Sequence, residues 1–309
     1  MEKIKIGFYG YGTRALDALV EHPDFEVRHF LTPASRLCPE VYEAERRYRK
    51  EIPMVAVKNR RELAERIGAV TDVSCFLMNA SPIILDEAIL SRMHFYNIHP
   101  GSLSNNRGHH PHLWSILLDE KETEINLHRV TPEIDLGEVI ETVRVPVLPD
   151  DTSLTLLNRA EDQIPKLLDT LAAYLRGECG GKGVVREGGY RRMMVYGDYR
   201  FDPEHDTLWD MDRKIRARAM HSGGFFEVGD RRIYTDRIIS QSDGKEAPVC
   251  SDFSLTETDD SIVLIRKGEW AVFGKRKITD KEGKLLWKRG SDAGVENGGE
   301  GKDTLQAGA

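Results

Sequence analysis

Between Ile4 and Ile98 the chain alternates short apolar runs of strand length with segments of helical period, and that alternation leaves few folds open to it. Ile4, Ile6 and Phe8 alternate as a first strand, Gly10 and Gly12 supply a tight turn, Arg14 to Val20 has helical spacing, and Phe25 to Leu31 reads as a second strand. Residues 33–51 read as a loop plus a surface helix. A helix over Arg60 to Ile67 precedes the apolar run Val73 to Met78, and a helix over Ile83 to Leu90 precedes a strand over Phe95 to Ile98. Continuous apolar runs between helices mark strands covered on both faces, so the pattern predicts an α/β fold, Rossmann-like, with a mostly parallel sheet.

Further along, Pro111 to Leu118 is helical, Glu124 to Val130 and Glu138 to Val147 are strands, and Leu154 to Leu175 reads as one long amphipathic helix opened by Asp150-Asp151-Thr152-Ser153. A Gly-rich linker follows, and from Asp206 the pattern changes. One helix, Leu208 to Ala219, leads into short strands at Phe225–Val228, Arg232–Ile239, Ser261–Ile265, Trp270–Phe273 and Lys284–Trp287, the spacing of a small β-barrel. The expected division is a catalytic domain over 1–180, a linker over 181–205, a β-rich domain over 206–289 and a disordered tail over 290–309.

At 309 residues, 40% hydrophobic and 31% charged, the chain has the size and balance of two soluble globular domains. It carries no apolar signal stretch and no run long enough to cross a bilayer. Its cysteines, Cys38, Cys75, Cys179 and Cys250, lie far apart, which points to reduced thiols in the cytoplasm rather than a disulfide framework or zinc site. The net charge of −7 argues against a nucleic-acid partner, because gripping phosphates requires a basic face. Composition leaves a homodimer open.

The glycines of Gly7-Phe8-Tyr9-Gly10-Tyr11-Gly12 let backbone amides approach an anionic ligand at a helix N-terminus. No acidic residue follows the second strand to hold a ribose, which disfavours a dinucleotide site and an NAD(P)-dependent oxidoreductase. Gly10, Tyr11 and Gly12 are instead expected to touch substrate, with Arg107 and His110. His109, His110 and His112 lack an acidic or Cys partner at ligand spacing, so no metal is expected. The basic run Arg213, Lys214, Arg216 and Arg218 reads as a solvated helix face.

Asn97, His99 and Asp135 carry the strongest chemical signal. Acyl transfer to an amine needs a donor for the developing oxyanion, a base for the proton and a carboxylate to orient that base, and no nucleophilic side chain, because the amine attacks. Asn97 and His99 share a face at period two and sit at the C-terminal end of a parallel strand, where open α/β sheets place their sites. Asp135 lies on the loop after the next strand.

The segment Asn97-Ile98-His99-Pro100-Gly101-Ser102-Leu103, with Arg107-Gly108, Pro111, Trp114 and Asp135-Leu136-Gly137-Glu138-Val139-Ile140, resembles the 10-formyltetrahydrofolate-dependent formyltransferases. The likeness covers about the first 180 residues, and the C-terminal part resembles the OB-type domain of methionyl-tRNA and sugar formyltransferases. It departs from the family at Gly101, Ser104, Asn126 and Leu136, where Ser, Pro, Thr and Thr are common. The resemblance implies that Asn97 polarises the formyl oxygen, His99 manages the amine proton, and Asp135 holds His99. It also implies a pterin lying against Phe76, the loop Ser81-Pro82-Ile83-Ile84, Val130 and Ile134. The expected reaction is formyl transfer from 10-formyltetrahydrofolate to a small-molecule amine, a nucleotide-linked aminosugar first and the initiator tRNA or a free or carrier-bound amino acid after it. A binding protein that keeps a folate pocket without turnover is the non-enzymatic alternative.

Overall fold

The computed structural model of the chain describes residues 2–184, 189–242, 253–266 and 269–290. The chain forms two compact units, Met1–Gly224 and Phe225–Ala309.

The first unit opens with β1 (Ile4–Gly10), α1 (Thr13–Glu21), β2 (Phe25–Pro33), α2 (Pro39–Tyr48), β3 (Met54–Val57), α3 (Arg60–Gly68), β4 (Cys75–Asn79), α4 (Glu87–Leu90) and β5 (His94–His99). It continues through β6 (Arg107–Gly108), α5 (Pro111–Leu117), β7 (Glu122–Arg129), β8 (Glu138–Pro146), α6 (Ser153–Glu161), α7 (Ile164–Leu175), β9 (Gly183–Val184), β10 (Tyr190–Arg191), α8 (Tyr196–Tyr199) and α9 (Leu208–Ala217). Eight strands make one sheet in the order β3-β2-β1-β4-β5-β7-β8-β9. The pairs from β3 to β5 are parallel, and β5-β7, β7-β8 and β8-β9 are antiparallel. The α/β class and the mostly parallel Rossmann-like sheet are as the alternating pattern predicts. Apolar residues on both faces explain it: Ile6, Phe8, Leu77, Ile98 and Leu127 pack with α1, α6 and α7 on one side, and Tyr9, Phe76 and Phe95 with α3 and α4 on the other.

Four local expectations change. The long helix over Leu154–Leu175 is two, because Pro165 has no N–H and its ring would meet the carbonyl four residues back. The helix expected from Ile83 is confined to Glu87–Leu90, N-capped by Asp86, so residues 81–85 form a loop at the end of β4. Strand β3 is too short and half-buried to carry a clear pattern, and it adds an edge to the sheet that the alternation does not mark. Helix α9 belongs to the first unit, not the second: Arg213 donates to the Leu117 carbonyl at 3.0 Å and Arg216 to the Asp151 carbonyl at 2.9 Å. The boundary therefore falls at Gly224, and residues 181–205 contain β9, β10 and α8 as well as connecting chain.

The second unit is antiparallel and β-rich. Its strands β11 (Gly224–Val228), β12 (Arg231–Gln241), β13 (Ser254–Glu257), β14 (Ser261–Arg266), β15 (Glu269–Asp280) and β16 (Leu285–Lys288) pair in the order β11-β12-β15-β14-β13, with β16 on β15. Phe225, Phe226, Ile262, Leu264 and Phe273 are its buried centre. The tail from residue 291 lies outside the described residues, as do Cys250 and most of the turn expected at Ser242-Asp243-Gly244.

The turn after β1 is pressed against the end of β4. Gly10 has φ 141°, and a Cβ there would fall 1.9 Å from the Asn79 carbonyl oxygen. Replacement of Gly10 by Ala should therefore cost roughly 2 kcal/mol or more in urea unfolding, through both backbone strain and overpacking; an unchanged unfolding midpoint would contradict this packing.

Candidate active site

Strand β5 ends at the position in the sheet where its neighbour on one side is parallel and on the other antiparallel. The antiparallel register sets Asn97 opposite His128 and His99 opposite Asn126, so four polar side chains share one face of two adjacent strands. All four are buried, and each is bonded.

His99 has both ring nitrogens engaged. Its Nε2 lies 3.0 Å from the Asn106 carbonyl, which can only accept, so Nε2 carries the proton. Its Nδ1 then faces Asp135 Oδ2 at 3.5 Å. The second imidazole, His128, has Nδ1 3.0 Å from the Arg129 carbonyl, so its Nε2 is left to accept from the Asn97 amide nitrogen at 3.1 Å. That bond fixes the Asn97 amide and leaves its second N–H for a ligand. His128 Nε2 also stands 3.4 Å from Asp135 Oδ1.

Asp135 is thus held between two imidazoles, and it also accepts the Gly108 N–H at 2.9 Å. Burial would raise its pKa; the neighbouring His99 and His128 rings and the Gly108 N–H outweigh burial and hold the carboxyl below the usual carboxylate range. Burial is the largest influence on His99 as well and lowers its pKa, while Asp135 pulls it back up. At neutral pH the pair is a neutral imidazole beside a carboxylate, the state of a base ready to take a proton. Asp135 occupies the left-handed region at φ 54°, uncommon for a non-glycine residue and typical of sites where the surroundings over-determine the backbone.

The structure brings Asn97, His99 and Asp135 together, and adds two residues to which the motif does not point. His128 orients Asn97 and braces Asp135. Asn106 is fully buried; its carbonyl anchors His99 while its side chain bonds Ser115, Glu120 and Arg191. The alternation of Asn126 and His128 along β7 is the signal that could have found His128.

Among the expected pterin contacts, half-buried Ile83 and Val130 pack on one apolar cluster, with exposed Ile84 and Pro82 beside it. Ser81 donates to the Tyr9 hydroxyl at 2.8 Å and accepts the Ile83 N–H, which shapes that loop. Phe76 has no exposed surface; it stacks on Phe95 at 5.3 Å and belongs to the core, out of reach of a ligand. Arg107 donates to the Ile134 carbonyl at 3.1 Å and so secures the Asp135 loop.

Two departures from the family pattern have physical reasons. A Cβ on Gly101 would fall 2.1 Å from Pro111 Cβ, so no larger residue fits there. Asn126 donates to the Gly101 carbonyl at 2.7 Å and accepts from the Thr142 hydroxyl at 2.5 Å, tying the loop after β5 to β8. The basic run on α9 is largely neutralised, with Arg213 paired to Asp210, Lys214 to Asp206 and Arg216 to Asp212. Among the described residues no group of three or more His, Cys, Asp or Glu side chains could hold a metal ion, and no helix is long and apolar enough to cross a membrane.

A family model described as formyl transferase matches residues 41–171, the stretch that carries Asn97, His99 and Asp135. The fold is shared with solved structures. HypX from Aquifex aeolicus in complex with tetrahydrofolic acid aligns with TM-score 0.63 at 15% identity, over 91% of this chain and 45% of HypX. A 4-N formyltransferase from Francisella tularensis aligns with TM-score 0.62 at 17% identity, over 76% of this chain and 97% of that one. An N-formyltransferase from Helicobacter canadensis, in complex with folinic acid and dTDP-3-aminofucose, aligns with TM-score 0.58 at 14% identity, over 88% of this chain and 99% of that one. The chain thus spans less than half the length of HypX.

Removing the charge of Asp135 takes away the influence that raises the His99 pKa. Asp135→Asn should therefore shift His99 further down in an NMR titration of its ring protons; an upward shift would contradict the arrangement.

Proposed function

We propose that this chain, which carries a formyl transferase domain, moves a formyl group from 10-formyltetrahydrofolate to the primary amine of a nucleotide-linked aminosugar. One observation carries the reading: an amide with a free N–H, an imidazole with an unprotonated Nδ1 and a buried carboxylate converge at the end of β5. The fold relatives bound to tetrahydrofolic acid and to folinic acid support the donor, and the one bound to dTDP-3-aminofucose supports the acceptor class.

The apolar residues beside this site suit a flat heterocycle. Ile83, Ile84 and Val130 offer an apolar surface over a rigid floor of Phe76 and Phe95, and Ser81 and Ile134 border it through the loops that carry them. The donor supplies an activated formyl carbon on its N10. Asn97 donates its free N–H to the formyl oxygen as negative charge develops there, in a buried setting where such a bond is worth most. His99 Nδ1 takes the proton released by the attacking amine, and Asp135 stabilises the imidazolium that results. The new C–N bond forms as the bond to N10 breaks, and a proton returns to N10; the products are a formamide and tetrahydrofolate.

This ordering of charge has a pH signature. A base must be unprotonated to act, and the His99 pKa lies below the ordinary histidine value of 6.5, so kcat/KM should be flat around pH 7 and fall only at pH below that value. His99→Ala should slow transfer on the order of 10² or more, and Asn97→Ala on the order of 10²–10³, per folded molecule. The assay is consumption of 10-formyltetrahydrofolate against a panel of nucleotide-linked aminosugars; a wild-type rate in His99→Ala would sink the assignment.

A further inference from the structure

A neutral His99 has two tautomers, and only one of them leaves a base facing Asp135. A proton on Nδ1 would be drawn to the carboxylate in a charge-assisted hydrogen bond and would leave that nitrogen nothing to accept with. A proton on Nε2 keeps Nδ1 unprotonated. The 3.5 Å between Nδ1 and Asp135 Oδ2 is long for a bond of the first kind, whereas Nε2 lies 3.0 Å from the Asn106 carbonyl. The productive tautomer therefore depends on how firmly that carbonyl is held.

Asn106 is gripped from several directions. Its N–H donates to the Ser102 carbonyl at 2.7 Å. Its side-chain oxygen accepts from Arg191 Nε at 2.9 Å, and its side-chain nitrogen donates to Glu120 Oε2 at 2.8 Å and to Ser115 Oγ at 3.1 Å. A guanidinium only donates and a carboxylate only accepts, so the amide has a single orientation. Arg191 belongs to a strap, Gly189 to Met194, that crosses the segment after β5. There β10 pairs in parallel with β6: the Arg107 N–H donates to the Gly189 carbonyl at 3.0 Å and the His109 N–H to the Arg191 carbonyl at 2.9 Å. A Cβ on Gly189 would fall 2.5 Å from the Asn105 carbonyl oxygen, so the two segments meet backbone to backbone. Trp114 fastens the strap: its Nε1 donates to the Arg192 carbonyl at 3.1 Å, both strap guanidinium groups lie within 5.7 Å of its ring centre, and Met194 packs with it. Arg191 bonds Asn106, whereas Arg192 pairs with Asp198 at 2.6 Å.

We propose that Arg191 is a positioning residue for the transfer: through the Asn106 amide it holds the carbonyl at 106 against His99 Nε2 and so keeps Nδ1 unprotonated for the incoming amine. Arg191 touches no reacting atom, and it lies 85 residues beyond Asn106 in the chain. Its role rests on the reading of His99 as the base. With Nδ1 unprotonated, the hydrogen bond to Asp135 forms only as the proton arrives, so it stabilises the charged state and not the resting one. The same strap supports the other side of the pair, because β6, on which β10 lies, carries the Gly108 N–H that Asp135 accepts.

Nitrogen-15 NMR of the histidine-labelled chain reads the tautomer without turnover. With the His99 signals assigned by their loss in His99→Gln, the wild type should show a pyrrole-like Nε2 and a pyridine-like Nδ1. Arg191→Met should move both toward the other tautomer and lower kcat about tenfold or more, with KM for 10-formyltetrahydrofolate changed by less than about twofold. Arg192→Met, which removes the Asp198 pair but leaves Asn106 bonded, should do neither. Glu120→Ala, on the other side of the same amide, should move the His99 signals in the same direction, and it decides the matter if Arg191→Met does not fold. Wild-type ring shifts in the folded variants at 191 and 120 overturn the proposal, as does an equal effect of Arg192→Met. A tautomer shift without loss of rate would instead sink the reading of His99 as the base, with the control of its tautomer by Arg191 left standing.

Discussion

The buried carboxylate of Asp135 is the constraint around which the site is built. An ionised group this deep costs several kcal/mol unless it is paired and hydrogen-bonded. Asp135 finds its partners on three separate segments: His99 at the end of β5, His128 on β7 and the Gly108 N–H on β6. Meeting all three forces the loop after β7 to fold back over the strand ends. The left-handed backbone at Asp135 is one consequence. Gly137 is another, since a Cβ there would fall 1.6 Å from the Arg129 carbonyl oxygen. Because His128 also holds the Asn97 amide, the oxyanion donor, the base and its carboxylate form one connected unit. By contrast, the many exposed ion pairs of the chain, such as Arg61–Glu65, contribute on the order of 1 kcal/mol or less each.

The parts of this site that are legible in the amino-acid sequence are those written in side-chain type and short spacing. Asn97 and His99 at period two, after an apolar run, announce a strand end, and Asp135 stands on a loop able to return to it. His128 is not legible because its role comes from antiparallel register across two strands about thirty residues apart, which no local spacing encodes. Asn106 is hidden for another reason: the group that anchors His99 is its backbone carbonyl. Phe76 shows the opposite error, an aromatic residue that reads as a ligand contact but that close packing against Phe95 and the absence of a side chain at Gly7 place wholly in the core.

The same distinction applies to the fold. Period-two and period-3.6 patterns locate most strands and helices, yet α9 reads as part of the β-rich unit because it precedes that unit in the chain. Its arginines bond backbone carbonyls at 117 and 151, contacts visible only in three dimensions.

The claim on which all of this rests is that His99 and Asp135 act as a unit. A double-mutant cycle on single-turnover formyl transfer from 10-formyltetrahydrofolate, with His99→Ala, Asp135→Ala and the pair together, measures it directly. The buried pairing predicts that the double variant is about as slow as the slower single one. Losses that multiply would show two independent contributions and contradict the account.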